Sequence, residues 1–374
     1  MLNCMRKKYG VATFAISLLS LSLQAQIRFI PQSESAQSDF GITYSMPRTI
    51  LKVEVEAIKV IQKAGPYARY AEKYLGVKDA VMEDKEFYEM GKIKLSTVGV
   101  PDQEQTYVIE VGKKTAAPSV QLTPDGVLYS INMEENGEVL KRKYEKTDVQ
   151  TEIQRKKNKI MISSEDLLMA NTTAKMADVV AQQIYRLRES RTGILTGEAE
   201  NVPSDGEGLK LMLKSLEEEE RELVEQFAGV VVKNAETHII YYDLNEDVLK
   251  TILFRFSALE GVVDKDDLSG APIYLNLKGV RTELPELTDK ERKQMEKDAY
   301  SGKLGMLYNV PGEAVVELFN AQQQVLSKGK FKVAQYGEYR SLPSELFEQS
   351  SKGAPLRTRI EFYPETGAIK EIVK

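Results

Sequence analysis

Histidine, cysteine and tryptophan are almost missing from this chain. His238 and Cys4 stand alone, and tryptophan is absent from all 374 residues. One histidine excludes an HExxH zinc site and histidine-rich metal clusters, and leaves most serine triads without a base. His238 lies in Thr237-His-Ile-Ile-Tyr241, where it alternates with Ile239 and Tyr241 as residues on a strand do. Without tryptophan the chain lacks the flat platforms that glycan-handling proteins often present. The GxSxG elbow, the GxxxxGK[ST] loop and the GxGxxG fingerprint are all missing, and Gly206-Glu-Gly208 is a lone turn.

Two motifs come close to a known chemistry and fall short. Ser327-Lys-Gly-Lys330 matches SxxK, but its KTG companion is missing, and glycine between lysines reads as a turn between strands. Asp264-Lys-Asp266-Asp267-Leu-Ser-Gly270 resembles a calcium loop, yet its glycine comes one position late and the closing glutamate is absent. It reads as a solvated acidic turn. Carboxylates are plentiful, and a glycosidase needs only two at a set separation, but the sequence singles out no pair. No catalytic residue, cofactor site or metal site is therefore assigned.

The first residues carry an address. Arg6-Lys7-Lys8 precede a short apolar run over 11–23 that ends Leu23-Gln24-Ala25, the pattern of a secretory signal peptide over 1–25, cleaved near Ala25. The run is too short and too serine-rich (Ser17, Ser20, Ser22) for a membrane span, and no later stretch reaches that length. Cleavage removes Cys4, so the mature chain has no thiol nucleophile, no thiolate metal ligand and no disulfide. It also makes the formal charge, −5 for the whole chain, three units more negative. An acidic exported chain is poorly suited to nucleic acid or to anionic membrane surfaces.

The organising stretch of the mature chain runs over 163–229. Leu209, Leu213, Leu216, Leu223 and Phe227 line one face of a helix, with Glu220 in the remaining slot of the stripe. Ser204-Asp205-Gly206 supplies capping before it and Gly229 ends it. Ala177, Val180, Ile184 and Leu187 repeat the pattern upstream, with Thr172 or Thr173 as N-cap. Each helix is expected to be about 28 Å long, and the two stripes are expected to meet as an antiparallel hairpin. A carboxylate on an apolar stripe needs a partner. Arg188 and Arg191 are candidates, while antiparallel geometry favours Lys175. Arg188 and Glu220 form a candidate buried polar network. The long connection over 190–203 is expected to be a loop, functional or mobile.

Around the hairpin the chain reads as β-rich. A flexible leader over 26–40 gives way to an N-terminal β-rich domain over 41–162, and a C-terminal one follows over 230–374. Leu51, Val53, Val55 and Ala57 alternate with Ile50, Lys52, Glu54 and Glu56, a clean period of two. Gly65-Pro66 opens a short helix ending at Gly76, with Tyr67, Tyr70 and Tyr74 on one face. That face is either core or, with Arg191, a candidate interaction surface. Further strands are expected over 92–98, 106–111, 120–122 and 127–133, then 230–232, 237–242, 251–257, 273–277, 314–319, 329–336, 357–363 and 368–373. Residues 289–300 read as a short charged helix, and 138–159 stays ambiguous. The fold class is α+β, two β-rich regions flanking a central antiparallel helical hairpin. Some sixty residues of charged helix argue against an outer-membrane barrel.

Several stretches together carry a resemblance: Gly41-Ile-Thr-Tyr-Ser-Met-Pro-Arg-Thr49, Gly65-Pro-Tyr-Ala-Arg-Tyr-Ala-Glu-Lys-Tyr-Leu-Gly76, Val98-Gly-Val-Pro-Asp102, Arg188-Glu-Ser-Arg191 with Leu195-Thr-Gly197, Pro203-Ser-Asp-Gly206, and Glu220 leading to Phe227-Ala-Gly229. They resemble an exported family of the Bacteroidota, domain-of-unknown-function family 4831. The resemblance implies a Gram-negative envelope setting and brings no reaction, cofactor or catalytic residue. The reading that follows is a non-enzymatic envelope protein, periplasmic or outer-membrane-associated, that binds or scaffolds a protein or glycan partner. The alternative is a carboxylate-dependent hydrolase acting on glycans or peptidoglycan.

Overall fold

A computed structural model of the protein describes residues 27–31, 41–111, 118–133, 172–199, 203, 205–283, 288–290, 293, 305–342 and 358–373. The stretch read as a signal peptide, most of that read as a leader, the ambiguous segment over 138–159 and most of the stretch read as a charged helix over 289–300 lie outside them.

The chain is α+β and strand-rich. Its spine is a pair of very long antiparallel strands, β2 (Gly41–Lys63) and β3 (Lys85–Val111). At about 3.3 Å per residue they extend roughly 75 and 90 Å. The segments expected over 92–98 and 106–111 are thus one strand. Proline at 101 does not end it: Pro47 lies opposite Pro101, beside an irregularity in the ladder between Ser45 and Pro47, the kind of place where a sheet tolerates proline.

That irregularity explains a phase change the sequence hides. Before it Tyr44 and Met46 are buried; after it Thr49, Leu51, Val53, Val55 and Ala57 are. There the pairing jumps from Ser45↔Thr106 to Pro47↔Pro101, so that Met46 alone on β2 stands against four residues of β3, and the buried set changes parity across the break. A bulge falls at Glu56, which stands against Gly91 and Lys92. A Cβ on Gly91 would lie 2.5 Å from the Glu56 carboxylate, which instead accepts the Lys92 N–H at 3.1 Å.

Two more strands complete this first sheet, in the order β1-β3-β2-β6. They are β1 (Ile27–Pro31), inside the stretch expected to be leader, and β6 (Val230–Asp243). A second sheet follows the order β11-β10-β9-β7-β8, with β7 (Val248–Ser257), β8 (Gly261–Val263), β9 (Ala271–Val280), β10 (Met306–Phe319) and β11 (Val325–Leu342). A third joins β4 (Val120–Leu122), β5 (Leu128–Ile131), β12 (Arg359–Phe362) and β13 (Ile369–Val373) in the order β13-β12-β5-β4. Hairpin turns at Pro124-Asp125-Gly126 and Pro364-Glu-Thr-Gly367 fall where turn chemistry puts them.

The first and third sheets each combine strands from before and after the helices, through the β2–β6 and β5–β12 pairs. Leu51, Val53 and Val55 pack on the second sheet through Phe254, Leu275, Val316 and their neighbours. Tyr44, Met46 and Ile109 pack on the third sheet and on the ends of β10 and β11. The long strand pair therefore serves two cores in series.

The helices gather at the far end of the spine. They are α1 (Ala71–Leu75), preceded by a 3-10 turn (Ala68–Tyr70), α2 (Thr173–Thr196) and α3 (Gly206–Ala228). Thr172 caps α2 and Asp205 caps α3. Both long helices are about 35 Å, longer than expected. The reason is that α2 continues through the stretch read as loop: nothing over 190–196 breaks it, Ile194 is buried, and Gly197 ends it in the left-handed region. At the other end α3 runs straight into β6 through Gly229. There φ is 77°, and a Cβ would lie 2.6 Å from the Lys63 carbonyl and 2.7 Å from Val81 Cβ. Among the described residues no helix is long and apolar enough to cross a membrane.

Candidate functional site

The residues singled out from the sequence converge on the helical end. Tyr67 is only 7% exposed and joins Ala71, Ala177, Val180, Ile184, Leu223 and Phe227 in a third core cluster. Its ring lies 5.4 Å from that of Phe227, and burial pushes its phenol pKa up. Tyr70 and Tyr74 are half-buried against the same cluster. The Tyr185 hydroxyl donates to the Tyr74 carbonyl, and the Lys73 ammonium stands 4.9 Å from the centre of the Tyr74 ring.

Glu220 finds arginine rather than Lys175. Arg188 Nε donates to Oε1 at 2.6 Å, while Arg191 Nη1 lies 3.4 Å from Oε2 and 3.8 Å from Glu217. Arg188 thus lies against Glu220, and Arg191 against both Glu217 and Glu220. Lys175, almost four turns earlier, is out of reach. The Glu220 side chain is 14% exposed, but both guanidiniums are more open, so the network is half-buried.

The near-miss motifs carry no chemistry here. Ser327-Lys-Gly-Lys330 lies within β11 rather than in a turn. In an extended strand, side chains three residues apart point to opposite faces, so Ser327 and Lys330 cannot form a nucleophile–base pair. Ser327 donates to the Ile93 carbonyl, and Lys330 pairs with Glu313 at 2.6 Å. In the acidic turn Asp264 accepts the Asp266 N–H and Asp267 the Ser269 N–H. Among the described residues no group of three or more His, Cys, Asp or Glu is arranged to hold a metal.

Among the described residues four carboxyl groups titrate below the usual range, each for a local reason. Lys52 holds Glu54 down, the Ser269 backbone N–H holds Asp267, Lys330 and Lys332 hold Glu313, and Lys370 holds Glu361. A general acid at neutral pH needs the opposite displacement.

A feature that the sequence reading passed over lies at the edge of the first sheet. Strand β6 pairs with β2 over its whole length, from Lys63↔Val230 to Ile50↔Asp243, without a bulge. Among the described residues β2 is its one extensive neighbour, leaving the other edge of all fourteen residues open. Proteins usually blunt such an edge with proline, bulges, lysines or shortness; β6 has a single lysine and none of the rest. Its outward face exposes large apolar side chains among Lys233, Thr237 and Asp243: Val231 is 49%, Ile239 47% and Tyr241 53% exposed. His238 is half-buried on the opposite face, paired with Val55. The sequence signal was present in Val-Val-Val and Ile-Ile-Tyr-Tyr, but edge status depends on which strands pair.

A family profile described as Domain of unknown function (DUF4831) matches residues 40–370. No curated protein and no solved structure matches the chain.

Proposed function

Since the chain belongs to the DUF4831 family across nearly its whole length, and that membership carries no reaction, we propose that it is an exported envelope protein that works by binding. It acts as a periplasmic or outer-membrane-associated scaffold, and its partner adds a strand to β6. The observation that carries this reading is the fourteen-residue edge, open among the described residues, with Val231, Ile239 and Tyr241 exposed beside it. Strand addition draws affinity from main-chain hydrogen bonds and specificity from alternate side chains, and β6 offers both. Export is supported by the amino-terminal basic and apolar run, and a protein partner suits an edge of unpaired amides better than a glycan does. The organisation proposed with it keeps the α2–α3 pair as an antiparallel hairpin between two β-rich stretches of sequence, supported by the opposed Arg188–Glu220 and Arg191–Glu217 pairs.

The hydrolase alternative finds less support. Among the described residues the carboxylates with displaced pKa values, Glu54, Asp267, Glu313 and Glu361, are displaced downward, and the SxxK serine and lysine point apart.

Gently cross-linked envelopes provide the test. Tagged wild-type protein is expected to recover a stoichiometric protein partner, and Ile239→Lys, which puts a charge on the exposed face, is expected to lose it. Equal recovery by both proteins would refute binding at β6.

A further inference from the structure

The β6 edge is specific enough to name its occupant. We propose that the added strand is β6 of a second copy of this chain, antiparallel and centred on Thr237; this rests on the strand-addition reading above. The argument begins with backbone geometry. Along an edge strand, residues alternately turn their N–H and C=O outward and toward the neighbouring strand. A ladder forms only where outward-turned residues meet. In an antiparallel self-pairing, the two numbers in each opposed pair must therefore sum to an even value, and one residue faces its own copy across the two-fold axis.

Two such registers use thirteen of the fourteen residues of β6. One centres on Glu236 and sets two carboxylates directly opposite each other, which is destabilising. The other centres on Thr237. It sets Glu236 against His238 twice, an acceptor facing an imidazole N–H, and Thr237 against Thr237, a favourable hydroxyl pair. On the outward face Ala235 meets Ile239 and Lys233 meets Tyr241. Lys233 and Asp243 need no new counterion, because Glu89 stands 2.9 Å from Lys233 and Arg48 3.5 Å from Asp243. Glu236 lies in the field of Lys59 but makes no ion pair among the described residues, so it is the charge this register satisfies. The result is one continuous eight-stranded sheet, β1-β3-β2-β6 followed by its symmetric copy.

The near absence of cysteine makes the register measurable. Directly opposed residues on antiparallel strands have Cα atoms about 4.5–5.5 Å apart, within disulfide range. In the full chain carrying Cys4→Ser, Thr237→Cys is expected to form a disulfide-linked dimer under mild oxidation, while Glu236→Cys and His238→Cys stay monomeric on non-reducing gels. Sedimentation equilibrium of the same chain without a new cysteine is expected to show a dimer, and Ile239→Lys to return it to monomer. Cross-linking at 236 or 238 instead would overturn the register. A monomer in sedimentation, or a dimer indifferent to Ile239→Lys, would overturn the self-pairing. In that case envelope recovery separates the two ideas: if Ile239→Lys still loses a partner, strand addition stands and the second copy falls, and if it keeps every partner, both fall.

Discussion

The side-chain amide of Gln335 takes the place of a neighbouring strand at Thr49. Thr49 N–H donates to Gln335 Oε1 at 3.0 Å, and Gln335 Nε2 donates to the Thr49 carbonyl at 2.8 Å. The β2–β6 ladder stops one residue away, at Ile50. The Thr49 hydroxyl completes the junction, accepting the Ala334 N–H at 2.9 Å and donating to the Glu365 carbonyl at 2.7 Å. One buried threonine thus ties the spine to β11 and to the β12–β13 turn. Replacing Gln335 with Ala strands two backbone groups and is expected to cost about 2 kcal/mol, read as a lower urea midpoint with an unchanged m-value.

The tyrosines of the helical end should separate by depth. Tyr67→Ala empties space beside Phe227 and is expected to cost about 3–4 kcal/mol. Tyr70→Ala and Tyr74→Ala, both half-buried, should cost clearly less. Thermal unfolding of the three variants gives the order, and equal losses would contradict the packing described.

Glu220→Gln removes a carboxylate shared by two partly open arginines. Such pairs contribute about 1 kcal/mol or less. The difference from wild type should therefore be small, and it should shrink further in 1 M salt, where the Debye length is about 3 Å. A large, salt-independent loss would mean the network is dry.

Acid stability follows from the carboxylates held down by lysine. Folded Glu54 and Glu361 titrate below their unfolded value, which is about 4.3. Their contribution is present above that value and is lost as pH falls through the lower folded pKa. Unfolding free energy should decline below about pH 4, and Glu54→Gln with Glu361→Gln should flatten that decline.

Local chemistry was legible in the sequence, and pairing order was not. Leu51 to Ala57 announced their alternation, Thr172 or Thr173 and Gly229 their helix boundaries, and Pro124-Asp125-Gly126 its turn. The phase change at Pro47 was hidden, because a break in register needs knowledge of the strand opposite. The last turns of α2 looked like loop because Ser190, Thr192 and Gly193 are poor helix formers, yet packing of Ile194 overrides them. Arg188 and Glu220 were visible as partners, but choosing them over Lys175 required the true helix length. The β6 edge stayed unseen for the same reason: Val230 to Asp243 reads like any half-buried strand until β2 is known to cover one side only.

Residue-resolved hydrogen exchange along β6 tests the central claim most directly. In dilute purified protein, the β6 amides turned away from β2 should exchange rapidly while their neighbours bonded to β2 are protected, an alternation along the strand. In protein recovered with its bound partner, the fast set should slow as well. Uniform protection in the dilute protein, or an alternation that survives partner binding unchanged, would contradict an open edge filled by strand addition.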